Sequence, residues 1–495
     1  MRARLAFALL LGAAPGLAAQ GSAGADSAWE AGDRPLAQRR YEALLAANPQ
    51  DSHATFRLAQ LAADPRRALR LYRRYVTLEP RDAWGWMALG DQLGRMRRRG
   101  DALAAYQHAE QLRPDGRDLA IGRARILSRA GQSGAAAAQF EGWAAEHHSD
   151  AEVWQQAGQE WRRAGRPGHA ARAFAQAVAA GAPGAAPQLL RARAAHAPAV
   201  EPTVEYLRDS DGNRTGRLGL RADWAVRDGT RLGAAGSVAS ISDGSISHRL
   251  HQGSLRLSLG APRFLVNLAA GGARFERGAA GPARLRSTGE LRLRLRAAAP
   301  GGPSLDLRAQ RGPLGTTPLL VEQLGMRNEA KALAELPFGP LRLRGGGRFG
   351  VLQLLGETNT RWGGDGMLVL PLGWQAELSA QYHRLQYSSP ARLGYFAPKR
   401  VETVEGGTYA ELEGPLTLAF DLGAGVQRLQ EFGEGPGPWR LTLRGWSALG
   451  IPFAPGRELR FELEGYDAPF APEGVSTSAR WKSLAVSAGI RWAFR

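Results

Sequence analysis

From about residue 201 to the end of the chain, apolar and polar residues alternate with a period of two, and this alternation constrains the fold more than any other feature. In the last segment Leu484, Val486, Ala488, Ile490, Trp492 and Phe494 alternate with Ser483, Ala485, Ser487, Gly489 and Arg491. Leu291, Leu293 and Leu295 alternate with Arg292, Arg294 and Arg296, while Leu459, Phe461 and Leu463 alternate with Arg460, Glu462 and Glu464. Neighbouring side chains of a strand point to opposite faces, so each segment is read as a strand with one apolar and one polar face. A soluble sandwich and a membrane barrel both satisfy that pattern. Strand number and connection length separate them.

About sixteen segments occur, most of about 9–15 residues, the length that a tilted spanning strand requires. Short turns fall at Arg227–Gly229, Gly260–Arg263, Ala299–Pro303, Leu336–Pro340, Pro371–Gly373 and Glu413–Pro415. Longer polar links lie between them, at Asp209–Gly216, Ser240–Arg249, Glu276–Leu285, Ser388–Arg400, Glu431–Pro438 and Asp467–Ala479. Short turns on one side and long loops on the other are the pattern of an outer-membrane barrel. An even strand number brings both barrel ends to the short-turn, periplasmic side, Arg495 included. The apolar faces then meet lipid and the polar faces line a wet lumen, because an unshielded arginine in hydrocarbon costs several kcal/mol. Candidate lumen residues are Arg221, Asp223, Arg292, Arg294, Arg296, Glu377, Tyr409, Glu411, Asp421, Arg444, Trp446, Arg460 and Glu462. Their charges either pair across neighbouring strands or form a substrate path. Tyr409 and Trp446 are suited to stacking on sugar faces or to an interfacial girdle.

The first half has a different period. Trp86, Leu89, Gly90, Leu93, Ala102, Tyr106, Ala109 and Pro114 take the spacings of a tetratricopeptide repeat of about 34 residues. The spacing returns at Trp154, Ala157, Gly158, Trp161, Gly165, Ala170, Phe174 and Ala177, with weaker copies around Tyr41, Tyr72 and Phe140. Small residues such as Gly90 and Ala102 let paired helices touch, and the aromatics fill the gaps between stacked hairpins. These residues are therefore core, and about five helix pairs are expected across residues 21–183. Residues 184–200 read as a capping helix and linker before a barrel over 201–495. Arg95, Arg97, Arg98 and Arg99 fall at a hairpin turn, as a solvated loop or a contact to an acidic partner.

Arg2 and Arg4 precede an apolar run, Leu5 to Leu11, and small residues through Ala18 and Ala19, the pattern of a secretory signal over residues 1–20. The run is about half of the roughly 20 residues that span a bilayer. Cysteine is absent, which excludes disulfides, thiolate chemistry and the acylated cysteine of a lipoprotein. The net charge of +18 is almost wholly arginine, since the lysines are Lys331, Lys399 and Lys482. With a secretory signal and no basic motif interleaved with aromatics, acidic glycans or anionic headgroups suit that charge better than nucleic acid.

Catalytic, metal and cofactor sites are not expected. Gly345, Gly347 and Gly350 match a dinucleotide-binding spacing but sit in an alternating arginine-rich segment without a following helix. Pairs such as Glu411 with Glu413 follow from two-residue strand spacing, and the nine histidines show no metal spacing.

The fold class is thus an N-terminal α-solenoid of tetratricopeptide repeats followed by a transmembrane antiparallel β-barrel of about sixteen strands. Signal, repeats and barrel together resemble the exopolysaccharide export proteins of the outer membrane, of the cellulose synthase operon protein C and poly-N-acetylglucosamine porin type. Gly394, Tyr395, Phe396, Ala397 and Pro398 look like the Gly-Tyr-(Tyr/Phe/Trp)-Ser-Pro stretch of the cellulose protein, with alanine in place of serine, in a predicted outer loop. The resemblance implies that the repeats recruit periplasmic protein partners, that the barrel sits in outer-membrane lipid and that a polysaccharide leaves through it. Those exporters carry more repeats than five. The layout also looks like the surface lipoprotein assembly modulators, and a structural or receptor barrel with accessory repeats is a third reading.

Overall fold

The structure, a computed structural model, describes residues 15–96, 98–112, 116–261, 264–276, 286–298, 302–372, 375–392, 394–467 and 478–494. The signal residues 1–14, Arg97, Pro114, most of two expected long loops and Arg495 lie outside the described residues. The chain forms two compact units, Met1–Glu160 and Trp161–Arg495.

Eleven helices open the described chain: α1 (Pro15–Glu30), α2 (Arg34–Ala47), α3 (Ser52–Leu61), α4 (Pro65–Leu78), α5 (Ala83–Arg95), α6 (Arg99–Leu112), α7 (Arg117–Arg129), α8 (Ser133–Glu146), α9 (Ala151–Arg163), α10 (Pro167–Ala179) and α11 (Ala185–His196). Aspartates start several of them. Asp33, Asp51, Asp64 and Asp82 each accept backbone N–H groups of the first turn, which satisfies donors that the helix itself cannot. Within the first unit, α5 and α6 pack as the repeat spacing requires. A Cβ on Gly90 would lie 2.7 Å from the Tyr106 ring, so glycine sets the approach of the two helices. Tyr106 and Ala102 are buried, and the Tyr106 hydroxyl donates to Asp91 Oδ1 at 3.0 Å. Trp86 is half-buried against the same core, and its indole donates to the Pro80 carbonyl. Trp154 and Gly158 are buried on α9.

In the second unit sixteen strands follow: β1 (Ala199–Asp209), β2 (Arg214–Arg227), β3 (Thr230–Ser242), β4 (Ser247–Ala261), β5 (Phe264–Glu276), β6 (Arg286–Ala298), β7 (Ser304–Pro313), β8 (Met326–Phe338), β9 (Leu341–Leu354), β10 (Glu357–Leu372), β11 (Ala376–Tyr387), β12 (Arg400–Glu413), β13 (Thr417–Gln430), β14 (Arg440–Ala454), β15 (Arg457–Asp467) and β16 (Lys482–Ala493). Each pairs antiparallel with its sequence neighbours, and β1 pairs with β16 from Ala199↔Ala493 to Asp209↔Ser483. The ring is closed, so no strand edge is left to aggregate. Its outer face carries the leucines of the alternation, with Leu218, Leu255 and Leu441 more than 60% exposed. Exposed aromatics gather near both ends of that face. Trp224, Phe264, Phe338 and Phe453 lie toward the short-turn end, and Tyr206, Trp362, Tyr382 and Trp439 toward the other.

The last hairpin, α10 and α11, belongs to this unit and is pinned to the barrel. Ala170 and Phe174 on α10 pack against Ala192 on α11. The Asp228–Gly229 turn between β2 and β3, a dipeptide suited to tight hairpins, places the Asp228 carboxylate on the first turn of α10. The carboxylate accepts from the backbone N–H groups of Gly168 and His169, both at 2.7 Å, and pairs with the His169 ring. Arg166 donates to the Asp228 carbonyl at 2.8 Å. Burial alone would raise the pKa of Asp228, but the bonds from His169 and Gly168 outweigh it and hold the group below the ordinary carboxylate value.

Candidate functional site

Register settles which side chains share the barrel interior, because residues directly opposite on antiparallel neighbours lie on one face. Arg221 and Asp223 on β2 stand opposite Glu201 and Ala199 on β1 and are directed away from the exposed Leu218 and Leu220. Arg294 lies opposite Asn267 and Arg308, and Arg296 opposite Asp306. Glu377, Tyr409, Asp421, Trp446 and Glu464 follow one another across β11 to β15. Glu411, Arg444, Arg460 and Glu462 hold the same alternate positions. The candidate lumen residues therefore all fall on the inner face.

Their charges are sorted by sector. From β2 to β9 the inner face is dominated by arginine: Arg221, Arg256, Arg292, Arg294, Arg296, Arg308, Arg342, Arg344 and Arg348. From β11 round to β1 it is dominated by carboxylates: Glu377, Glu405, Glu411, Asp421, Glu458, Glu462, Glu464, Glu201 and Glu205. Each sector holds a few countercharges. On the basic side Asp223 binds Arg221 at 2.5 Å and Arg256 at 3.1 Å, and Asp306 binds Arg294 at 2.5 Å and Arg308 at 3.0 Å. On the acidic side Arg444 bridges Glu405 at 2.6 Å and Asp421 at 2.7 Å, and Arg460 bridges Glu201 at 3.0 Å and Glu458 at 2.9 Å. Glu377 pairs with Arg342 across the boundary, and Tyr409 donates to Glu411 at 3.0 Å. A field directed across the lumen results, with the ion pairs holding each wall in place.

Toward the long-loop end two arcs of the inner face turn apolar. Ile241, Leu250 and Phe275 on β3 to β5, and Leu352, Leu385, Tyr387 and Val401 on β9 to β12, are buried inner-face residues. Water would meet these side chains in an empty lumen, but the β7–β8 connection covers them. Its short helix α12 (Pro318–Glu322) starts with Thr317 Oγ1 accepting from the Leu320 N–H at 3.1 Å. Val321 packs with Ile241, Leu250 and Phe275, while Leu320 packs with Leu352, Leu385 and Val401. Those two sets lie about seven strands apart in a ring of sixteen, so the side chains of α12 join apolar clusters on two separate arcs of the wall.

The Gly394–Pro398 stretch, expected in an outer loop, lies in the β11–β12 connection at the same end. It is folded inward. Tyr395, Ala397 and Pro398 are buried and Phe396 is half-buried. A Cβ on Gly394, whose φ is +72°, would come within 3.4 Å of the Leu319 and Leu320 side chains, so the stretch backs directly onto α12. Tyr395 donates to Glu357 Oε1 at 3.0 Å, and burial with that bond raises its phenol. Sequence reasoning missed α12, whose only marks are the Thr317-Pro318 start and the apolar run Leu319-Leu320-Val321. Between the two inward loops, β9 and β10 are joined by a tight turn at Leu355–Gly356, with Gly356 at φ +79°, which leaves room for both. Among the described residues no cluster of histidines and carboxylates fit for a metal occurs.

No family model matches the chain, and no curated protein matches it. Among solved structures it is similar to a bacterial polysaccharide outer membrane secretin, at 10% identity and a TM-score of 0.44, over 61% of this chain and 99% of that one. It is also similar to the MamA protein, at 19% identity and a TM-score of 0.31, over 33% and 91% of the two chains. YrrB, a TPR protein with an unusual peptide-binding site, is similar at 15% identity and a TM-score of 0.30, over 34% and 88%. Helical repeats followed by a closed sixteen-strand barrel are the two parts on which the resemblance to outer-membrane export proteins rests.

Proposed function

We propose that this chain is an outer-membrane export porin for a polysaccharide, with its helical repeats on the periplasmic side as a docking scaffold for protein partners. The observation that carries the reading is the sorting of the barrel's two faces: exposed leucines between two bands of aromatics outside, and two facing walls of opposite charge inside. An apolar belt flanked by aromatics is what a bilayer requires of a barrel, and sixteen strands leave room for an aqueous channel. No helix among the described residues is long and apolar enough to cross a membrane. In this orientation the short turns, the α10–α11 hairpin and both barrel ends face the periplasm, and α12 faces outward.

A polysaccharide offers hydroxyls to a charged wall and ring faces to aromatics, and the inner face supplies both, with Tyr409 and Trp446 beside Asp421. The candidate path runs from Arg221, Asp223 and Arg292–Arg296 past Glu377, Tyr409, Glu411, Asp421, Arg444, Trp446, Arg460 and Glu462. No chemical step is assigned to it; the protein's work is selection and passage. The test is deletion of the gene followed by measurement of surface polysaccharide and of surface lipoprotein. Loss of the polysaccharide supports export. Normal polysaccharide with lost surface lipoprotein refutes it in favour of lipoprotein assembly.

A further inference from the structure

We infer that the basic wall holds a binding site for acidic saccharide, in the half of the lumen next to the short turns. The inference rests on the export reading and names the class of polymer. A recess of about 280 Å³ opens there on the lumen side of β2 to β7. Six arginines line it, Arg221, Arg231, Arg256, Arg292, Arg294 and Arg308, against the single carboxylate Asp223. Asp306 adjoins it and is already bound by Arg294 and Arg308, as Asp223 is by Arg221 and Arg256. Two carboxylates for six guanidinium groups leave the recess with a net positive charge.

That arrangement costs stability in the unliganded barrel. Arg294 and Arg308 are directly opposite, where like charges repel, and Arg292 and Arg296 flank them on the same face. An anion carrying oxygens in a plane relieves the repulsion and matches the fork of a guanidinium. Ser258, Asn267 and Gln310 line the same recess and offer neutral partners to sugar hydroxyls. Charge plus neutral hydrogen-bonding groups fits a uronic acid unit better than a bare anion. The size falls just below the roughly 300–1,000 Å³ of ligand sites, which suits a short stretch of chain. The position fits an inlet: Arg231 is the second residue of β3 and donates to the Ala195 carbonyl of α11, beside the pinned hairpin. The acidic wall opposite would turn the carboxylates of a polyanion toward the arginines and leave its uncharged ring faces to Tyr409 and Trp446.

The test is calorimetric titration of the full-length protein in detergent with the hexamer of galacturonic acid, with cellohexaose and chitosan hexamer as neutral and cationic comparisons. The acidic hexamer is expected to bind tightest. The Arg292→Gln, Arg308→Gln pair should weaken it by about tenfold or more, the loss of at least one charge-assisted contact. Arg292→Lys with Arg308→Lys should restore most of the binding, and Arg214→Gln on the outer face should leave it unchanged. Heat-dependent gel migration checks that each barrel is folded. Equal or tighter binding of the neutral or cationic hexamer, or a glutamine pair that binds like the parent, overturns the acidic assignment and leaves export standing. Binding of none of the three also overturns it. Export itself falls only if surface polysaccharide is normal in the deletion strain.

Discussion

Truncating Leu320 should open the outer mouth. Its side chain has no exposed surface, and with Val321 and Leu314 it holds the β7–β8 connection against inner-face residues on opposite sides of the ring. Leucine to alanine at such a site costs about 2–5 kcal/mol. The loss falls on the docked loop, because the strands keep their hydrogen-bond ladder whether or not α12 is seated. If about 2–3 kcal/mol of it is taken from docking, the undocked population rises by about 30- to 150-fold. Seen one molecule at a time, that is a change from rare openings to frequent ones. Single-channel recording of the full-length protein in planar bilayers reads it directly, with open probability compared at low voltage between the parent and Leu320→Ala. A second variant, with residues 315–324 replaced by a short glycine turn, should hold the channel open throughout. Equal open probabilities in all three proteins would refute the reasoning, since the seated loop would then be no obstacle.

Asp228→Asn should loosen the α10–α11 hairpin from the barrel by about 1–3 kcal/mol, the worth of charge-assisted bonds at a buried carboxylate, read as faster amide exchange in α10. Because its folded pKa is depressed, the pinning should be complete above the ordinary aspartate value and be lost as pH falls through the lower folded one; exchange that is flat across the acidic range counts against it. Glu329→Gln should destabilise the barrel by about 3–5 kcal/mol, since the Glu329 side chain has no exposed surface and carries Arg361 at 2.5 Å and Lys331 at 3.1 Å. The temperature at which folded and unfolded forms interchange on gels checks it, and an unchanged temperature means the pair is hydrated. Gly90→Val should cost about 1–3 kcal/mol in the first unit, because a Cβ there meets the Tyr106 ring. Faster proteolysis confined to residues before 160 is the expected result.

How much of this was legible in the chain follows from what sorts each residue. An apolar outer face and a polar inner face impose a period of two on every strand, so the inner positions of Arg292–Arg296 or Glu462 could be read from Leu293 or Phe461 beside them. The repeats were legible for a similar reason: Gly90 and Tyr106 touch at a fixed separation within one hairpin. Charge sorting was also within reach, because in a barrel whose strands follow sequence order the sector of a residue is its strand number. Summed strand by strand, the arginines of β2 to β9 and the acids of β11 to β15 separate without any structure. The β7–β8 connection with α12 is different. Nothing local distinguishes Pro318–Glu322 from other short loop segments, and its burial depends on partners more than a hundred residues apart, Ile241 and Val401 among them. Its trace lies in those partners. Where the alternation calls for polar inner positions, β3 ends in Ala239 and Ile241, β5 in Ala273 and Phe275, and β11 in Leu385 and Tyr387. Inner faces that turn apolar on several strands at the same end require something apolar inside the barrel, and in this chain the Leu319–Val321 run is what meets them.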